Sequence, residues 1–140
     1  MLNKQWRPAD VEVTENESAK IQPPKDGYID ATTAERFMVI AQAISSKWVE
    51  HYANATYYNA DARFKRDSAY QLAFLQSEAK SDRQKDVDAK QHPTVRMAEA
   101  RLVESAAALK LTELRHDELV RAYHSFKKIV EVREKEKQYL

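Results

Sequence analysis

The sequence predicts an all-α fold, and three observations lead to that prediction. The 140 residues include a single glycine, whereas a β-rich fold needs glycine in its tight turns and hairpins. From residue 31 onward Pro93 is the one proline, so little interrupts a helix. Apolar side chains recur every three or four residues along two long stretches. We therefore expect a long, coiled-coil-like helical hairpin with a C-terminal oligomerising helix and an extended N-terminal arm.

The arm is expected to comprise residues 1–30, in an extended or disordered state. It contains Gly27 and three of the four prolines, and it offers few apolar side chains that would order it. Trp6 is the exception, because a large aromatic side chain can dock on the helical body or on a partner. The remainder, residues 31–140, is expected to form one helical domain.

The first long helix is expected to begin at Asp30 or Thr32. Asp30 is a favourable N-cap residue, and Thr32 precedes Glu35 by the spacing of a capping box. One apolar stripe then continues for roughly 45 residues, a length typical of a coiled-coil arm. The stripe consists of Phe37, Ile40, Ile44, Trp48, Tyr52, Ala55, Tyr58, Ala62, Ala69 and Leu72.

A polar linker is expected at residues 80–92, since Val87 is its one apolar side chain larger than alanine. Pro93 suits the first turn of a second long helix. Two long helices cannot bury both sides of a narrow hairpin, so we expect self-association through the apolar stripes. The residues predicted to mediate it are Trp48, Leu109, Leu119, Phe126 and Val130.

Composition removes several classes of function. With 23 basic and 22 acidic residues the net charge is +1, which argues against purely electrostatic nucleic-acid binding but allows a local basic stripe. The chain has no cysteine, so it has no thiol nucleophile or zinc–thiolate site, and a reducing cytoplasm is expected. No signal peptide and no membrane span is predicted.

No catalytic residue, metal ligand or cofactor is predicted either. No two of the four histidines have the i, i+4 spacing of a helical metal site. A single glycine excludes a glycine-rich phosphate loop. The carboxylates have basic neighbours at helical spacing, as in solvated salt bridges. We therefore expect a protein that is not an enzyme.

One stretch, Thr56–Phe74, has the composition of a single-stranded nucleic-acid site. It interleaves Arg63, Lys65 and Arg66 with aromatic residues that include Tyr57 and Tyr58. Cations can follow a phosphate backbone while aromatic rings stack on unpaired bases. The same aromatic residues are also core candidates, and Asp61 and Asp67 offset the cations, so both interpretations stay open at this point.

The start of the first helix resembles a known family. Tyr28, Ile29, Asp30 and Thr32, followed at a fixed distance by Ser46-Lys47-Trp48, resemble the corresponding segment of the UvsY-type recombination mediators of tailed phages. The resemblance extends over roughly residues 28–135. It implies a protein that binds single-stranded DNA, forms hexameric or heptameric rings, and helps a RecA-like recombinase to replace single-strand-binding protein. It also implies that there is no catalytic centre.

With that resemblance, residues 31–140 are expected to be a DNA-binding and oligomerisation domain. Lys47, Arg63, Lys65 and Arg66 would hold the strand, and Tyr57 or Tyr58 would stack on bases. The family has basic residues near positions occupied here by Gln71 and Ala73, so Arg63, Lys65 and Arg66 would take over that role. The alternatives are a phage coiled-coil scaffold or adaptor without DNA binding, and an inhibitor of a host enzyme.

Overall fold

The computed structural model describes residues 2–21 and 29–139. Within these ranges the chain consists of helices and contains no strand, so the predicted all-α class is confirmed. A 3-10 helix at Pro8–Val11 precedes four α-helices. These are α1 (Glu12–Ala19), α2 (Ala31–Gln76), α3 (Asp82–Gln91) and α4 (Pro93–Gln138).

The chain divides into two compact units. Unit 1 comprises Met1–Pro8 and Ala53–Lys110, and unit 2 comprises Ala9–Tyr52 and Leu111–Leu140. Each unit pairs a segment of α2 with a segment of α4 in antiparallel orientation, as expected for a helical hairpin. In unit 1 this orientation follows from two contacts, Asn59 with Ser105 and Arg66 with Glu99.

Local signals set the starts of the two long helices. Asp30 caps α2, because its Oδ1 accepts a hydrogen bond from the backbone N–H of Thr33 at 2.7 Å. That backbone hydrogen bond lowers the pKa of the Asp30 carboxyl. Pro93 is the first residue of α4, where the missing N–H costs no helical hydrogen bond. Of the two predicted starts of α2, Asp30 rather than Thr32 is the capping position, and the predicted start of α4 at Pro93 is confirmed.

The arm differs from the extended segment predicted for residues 1–30. Pro8–Val11 and Glu12–Ala19 are helical, and Trp6, Val11 and Thr14 are buried. These three side chains are covered although Leu2 and Val13 of the same segment stay exposed, so long-range packing at particular positions orders the segment rather than its local composition. Residues 22–28, which contain Pro23, Pro24 and Gly27, lie outside the described residues.

The prediction of a polar linker at residues 80–92 is also wrong, since the helix α3 occupies most of that segment. Ser81 caps this helix by accepting a hydrogen bond from the N–H of Gln84 at 3.2 Å. Lys90 and Asp86 form an ion pair one turn apart at 3.1 Å. Ala89 is fully buried with Ala73 and Val95. A cap, a charge pair and one buried methyl group thus accompany helix formation in a segment that has almost no apolar pattern.

A narrow line of buried residues runs along each long helix with a period of seven. In α2 this line consists of Ala34, Ala41, Trp48, Ala55 and Ala62, and in α4 it consists of Ser105, Thr112, Leu119 and Phe126. A seven-residue period is that of a coiled coil, and small side chains allow close approach of helices. The buried line is narrower than the predicted stripe, because Ile40, Tyr52 and Leu72 of that stripe are exposed.

The residues predicted to mediate self-association lie in the packing within one chain. Trp48, Leu119, Phe126 and Val130 are all buried there, and Leu109 is half-buried. In unit 2, Phe126 and Val130 form a cluster with Ile29 and Ala34 of the α2 side. These side chains have little surface left for another subunit. Within one chain they belong to the helix–helix packing, and their role between subunits stays a prediction.

Polar contacts attach α1 to α2 within unit 2. The indole Nε1 of Trp48 donates a hydrogen bond to Ser18 Oγ at 2.8 Å. His51 Nε2 and the hydroxyl of Thr14 are hydrogen-bonded at 2.8 Å. Lys47 and Glu17 form an ion pair at 2.8 Å. One face of α2 therefore supplies three attachment points, within five residues, for the short N-terminal helix.

Replacing Trp48 with alanine is expected to lower the free energy of unfolding by about 3–5 kcal/mol, because a large buried ring is lost. Urea unfolding followed by circular dichroism measures the change. The matched control is Val49→Ala, since Val49 is 52% exposed and its replacement should cost within about 0.5 kcal/mol. A Trp48→Ala protein as stable as the Val49→Ala protein would contradict this packing.

His51 makes stability depend on pH. Burial lowers the pKa of His51, against the opposing charges of Asp10 and Glu50. Near and below the ordinary pKa of 6.5, the folded chain therefore binds fewer protons than the unfolded chain. The free energy of unfolding is thus highest above that pH, where His51 is neutral in both states. It decreases as the pH falls below that value towards the lowered pKa.

We therefore expect the urea concentration at the unfolding midpoint to decrease as the pH is lowered from about 8 to about 5. The decrease should be smaller in His51→Gln. Glutamine can still hydrogen-bond Thr14 but does not titrate. An unchanged pH dependence in His51→Gln would show that other groups cause it.

Candidate nucleic-acid interface

The residues predicted to bind DNA are divided between the two units. Lys47 lies in unit 2, whereas Tyr57, Tyr58, Arg63, Lys65 and Arg66 lie in unit 1. Lys47 forms the ion pair with Glu17 and helps to attach α1. Its charge is thus already compensated within unit 2, although its side chain remains 52% exposed.

Arg63, Lys65 and Arg66 do not form one basic tract. On an α-helix two residues span roughly 200°, so Arg63 and Lys65 point in directions roughly 160° apart. Arg66 is turned towards α4, where its Nη1 lies 3.4 Å from Glu99 Oε1. Its Nε also donates to Asp67 at 2.7 Å, and this hydrogen bond is the main cause of the raised pKa of Arg66. Arg66 thus has two carboxylate partners.

Tyr57, Tyr58 and Lys65 do come together, in a cleft of unit 1. Three chain segments form its walls, namely residues 3–7, α2 and α4. We call it the basic cleft, because four of its lining residues are Lys4, Arg7, Lys65 and Arg101. Of these four residues, only Lys65 was among those that the sequence predicted to bind DNA.

A local turn and one aromatic anchor hold the N-terminal wall of the basic cleft. Asn3 closes the turn, since its side-chain oxygen accepts from the N–H of Gln5 at 2.9 Å. The Asn3 N–H donates to Asn54 Oδ1 of α2 at 2.7 Å. Trp6 is 3% exposed, and its ring meets Tyr58 edge-on at 5.8 Å between centroids. These contacts place Lys4 and Arg7 beside α2.

The charge in the basic cleft is strongly one-sided. Against the four cations stands one carboxylate among the lining residues, Asp61, which forms an ion pair with Lys65 at 2.9 Å. In the part of the chain that the structure describes, neither Lys4 nor Arg101 takes part in an ion pair. Arg7 donates from Nη1 to the carbonyl of Trp6 at 3.4 Å. A nearly neutral chain therefore concentrates positive charge at one place, where an anion is favoured.

The two tyrosines have different surroundings. Tyr57 is 39% exposed and lines the basic cleft, so its ring is accessible for stacking. Tyr58 is half-buried and packs against Trp6, which makes it part of the support for the N-terminal wall. Of the two stacking candidates from the sequence, Tyr57 is the one whose position suits that role.

Sequence reasoning missed Lys4, Arg7 and Arg101. Arg101 reaches the basic cleft because of the antiparallel pairing of α2 with α4, and the other two depend on the docking of Trp6. The sequence did contain a partial signal, since Tyr57, Asp61 and Lys65 recur every four residues and so share a helical face. Nothing in the local sequence of residues 3–7 indicates that face as their contact.

Other kinds of site find no support among the described residues. No group of three or more histidine, aspartate or glutamate side chains there could hold a metal ion. None of the helices in residues 2–21 and 29–139 is both long and apolar enough to cross a membrane.

The resemblance described from the sequence rests on the motif from Tyr28 to Trp48. Within the described part of that motif, Asp30 caps α2, and Lys47 and Trp48 both contact α1. The motif positions are thus used to start the long helix and to attach the N-terminal helix. No protein-family model matches the chain, and neither the curated proteins nor the solved structures give a significant match.

Proposed function

We propose that this protein is a recombination mediator that binds single-stranded DNA as a ring-shaped homo-oligomer of six or seven subunits. It promotes the loading of a RecA-like recombinase onto DNA covered by single-strand-binding protein. The observation that supports DNA binding is the basic cleft, which four cations line together with the accessible ring of Tyr57. The mediator role rests on the resemblance of the Tyr28–Trp48 motif to the UvsY-type family.

In this proposal the basic cleft holds the sugar–phosphate backbone without reading sequence. Lys4, Lys65 and Arg101 neutralise phosphates, and Tyr57 stacks on a base, since every base has a face on which an aromatic ring can stack. Asp61 competes with phosphate for Lys65, because the two side chains are already paired at 2.9 Å. Each subunit therefore binds DNA weakly.

Weak sites suit a protein that has to pass its DNA on. In an oligomer the sites act together, so the strand is held by avidity although each contact dissociates readily. Recombinase can then displace the strand one site at a time. The chain's own residues bind and orient DNA, and no covalent step is involved.

A coiled-coil scaffold or adaptor without DNA binding is the second candidate. The observation in its favour is the number of large apolar side chains that stay exposed in unit 1, including Phe64, Leu75 and Met97. Such side chains suit contacts between proteins. DNA binding separates the two candidates.

Binding of labelled oligo-dT, followed by fluorescence anisotropy, is expected to weaken steeply with salt. For an oligo-dT too short to reach a second basic cleft, neutralisation of about three phosphates makes the logarithm of the binding constant fall with a slope of about −2 against the logarithm of salt concentration. A tenfold increase in salt then weakens binding about 100-fold. The double variant Lys65→Ala, Arg101→Ala should bind about 10-fold more weakly and show a shallower slope.

The matched control is Arg63→Ala, which removes one exposed cation from the side of α2 away from Lys65. It should bind like the unaltered protein. An equal loss in Arg63→Ala would favour the continuous basic tract predicted from the sequence, and binding indifferent to salt would contradict the charge-driven mechanism. Absence of any binding would favour the scaffold.

The mediator step has its own readout. A RecA-like recombinase that hydrolyses ATP on DNA covered by single-strand-binding protein shows a lag while it displaces that protein. The unaltered chain is expected to shorten the lag, and the Lys65→Ala, Arg101→Ala protein is expected to shorten it less. If the chain binds DNA normally but does not shorten the lag, the protein binds DNA and is not a mediator.

A further inference from the structure

The basic cleft contains a buried amide with an unused hydrogen-bond donor. Asn54 of α2 lines the cleft and is 8% exposed. Its Oδ1 accepts a hydrogen bond from the backbone N–H of Asn3 at 2.7 Å. This contact fixes the orientation of the amide, because a backbone N–H can only donate and must therefore face the oxygen. The nitrogen of the Asn54 amide consequently points away from Asn3.

The amide nitrogen of Asn54 is presented to the cleft. Within residues 2–21 and 29–139 it has no hydrogen-bond partner. In the same ranges no fully buried side-chain nitrogen or oxygen lacks a partner, so this nitrogen reaches the solvent, and Asn54 lines the cleft. A polar group that is held rigidly and left without a partner suits an acceptor atom supplied by a ligand.

Two cations of the basic cleft also have no carboxylate partner. Asp61 forms its ion pair with Lys65 at 2.9 Å, so these two charges compensate each other. Lys4 and Arg101 line the cleft from the N-terminal segment and from α4, and in the described part of the chain neither forms an ion pair. The cleft therefore offers two uncompensated positive charges beside the amide of Asn54.

The acidic residues nearest to Arg101 in the sequence do not compensate its charge. Glu99 is paired with Arg66, with 3.4 Å between the two side chains. Glu104 follows Arg101 by three residues, but it does not line the basic cleft, and it forms no ion pair among the described residues. Arg7 adds a further cation to the lining. Positive charge therefore prevails in the cleft even when its border is included.

A phosphate monoester matches these groups better than the phosphodiester inside a strand does. At neutral pH a monoester carries a charge of about −1.5 to −2 and three strong acceptor oxygens, whereas each internal phosphate of a strand carries one negative charge. Lys4 and Arg101 together supply two positive charges, and arginine can donate two hydrogen bonds to one phosphate. The Asn54 amide supplies a further donor for an oxygen.

The size of the basic cleft also favours a terminal group. Its volume is about 180 Å³, which is the liquid volume of about six water molecules. This space suits a phosphate group, but it does not suit a phosphate with a sugar on each side. Tyr57 follows Asn54 by three residues, so the two share a helical face. The exposed ring of Tyr57 is thus available to the base of the same nucleotide.

We infer that the basic cleft binds a nucleotide through a terminal phosphate, in preference to the phosphodiesters inside a strand. Lys4 and Arg101 neutralise the phosphate, the Asn54 amide donates to one of its oxygens, and Tyr57 stacks on the base. Two sources offer this group, namely the phosphorylated end of a single strand and a free nucleotide. The inference rests on the proposed function, because it names the part of the DNA that the cleft holds most tightly.

Calorimetric titration of short oligo-dT tests the inference without a label on either end. Three strands are compared, with hydroxyl groups at both ends, with a 5′-phosphate or with a 3′-phosphate. At low salt one of the two phosphorylated strands is expected to bind about 10-fold more tightly than the hydroxyl strand. The methyl ester of the preferred phosphate has nearly the same size but one charge, and it is expected to bind like the hydroxyl strand. Equal affinity of all these strands would overturn the inference.

Thymidine monophosphate separates the two sources of the terminal phosphate. If it displaces the phosphorylated strand at a concentration similar to that strand's own dissociation constant, the free nucleotide is the ligand. If about 10-fold more is needed, the strand end is the ligand, because further contacts along the strand then contribute. Thymidine is expected not to compete, and competition by thymidine as strong as that of the monophosphate would contradict the phosphate contact.

Asn54→Asp tests the amide donor. The substitution keeps an oxygen that accepts the Asn3 N–H, and it replaces the amide nitrogen with a carboxylate oxygen. The preference for the terminal phosphate is expected to fall from about 10-fold to below about 2-fold. The matched control is Gln71→Glu, which adds the same charge at an exposed position of α2 outside the cleft lining and should leave the preference unchanged.

Arg101→Ala is the second variant, since circular dichroism may show that Asn54→Asp disturbs folding. It removes one of the two uncompensated cations from α4, which does not carry the Asn3 contact. The preference for the terminal phosphate should again fall below about 2-fold. A preference that survives in both folded variants would show that the terminal phosphate binds elsewhere.

The same titrations keep the inference apart from the proposed function. Strands that bind with a steep salt dependence, but regardless of their ends, retain DNA binding and remove the terminal-phosphate site. If no strand binds while thymidine monophosphate does, the cleft is a nucleotide site and the proposed function is wrong. If neither the strands nor the monophosphate bind, both proposals are wrong.

Discussion

The structure depends on a close approach of two long helices along a line of alanines. Where Ala34, Ala41, Ala55 and Ala62 are buried, the helix surface offers little apolar volume. The core of each unit is therefore narrow, and much of each long helix stays exposed. Some of the larger side chains, Trp48 and Tyr58 among them, are in contact with the N-terminal segment, which adds to this narrow core.

Two tryptophans show how that additional packing is achieved. Trp48 interrupts the alanine line of α2, and its indole N–H donates to Ser18 of α1. Trp6 covers Tyr58 and brings residues 3–7 against α2. In both cases one large ring attaches a short segment that has little tendency to fold alone. The basic cleft is a consequence, because two of its cations reside on the segment that Trp6 anchors.

What the sequence could predict follows from the range of the interactions involved. The all-α class, the start of α2 at Asp30 and the start of α4 at Pro93 depend on composition and on residues a few positions apart, and all three are confirmed. The order of the arm, the helix α3 and the exposure of Ile40 and Leu72 depend on which surfaces meet, and a linear pattern does not contain that information. The candidate site divides in the same way. Tyr57 and Lys65 share a helical face that spacing reveals, whereas Lys4, Arg7 and Arg101 join them through contacts between segments distant in sequence.

The placement of the tryptophans also gives each unit a built-in optical reporter. The chain has two tryptophans, Trp6 in unit 1 and Trp48 in unit 2. Both indoles are shielded from water, so each emission spectrum should shift to longer wavelength when its own surroundings open. Variants that retain one indole would resolve whether the two halves of the chain melt together or separately. The emission of Trp6 would also respond to any molecule that enters the basic cleft, without a label on either partner.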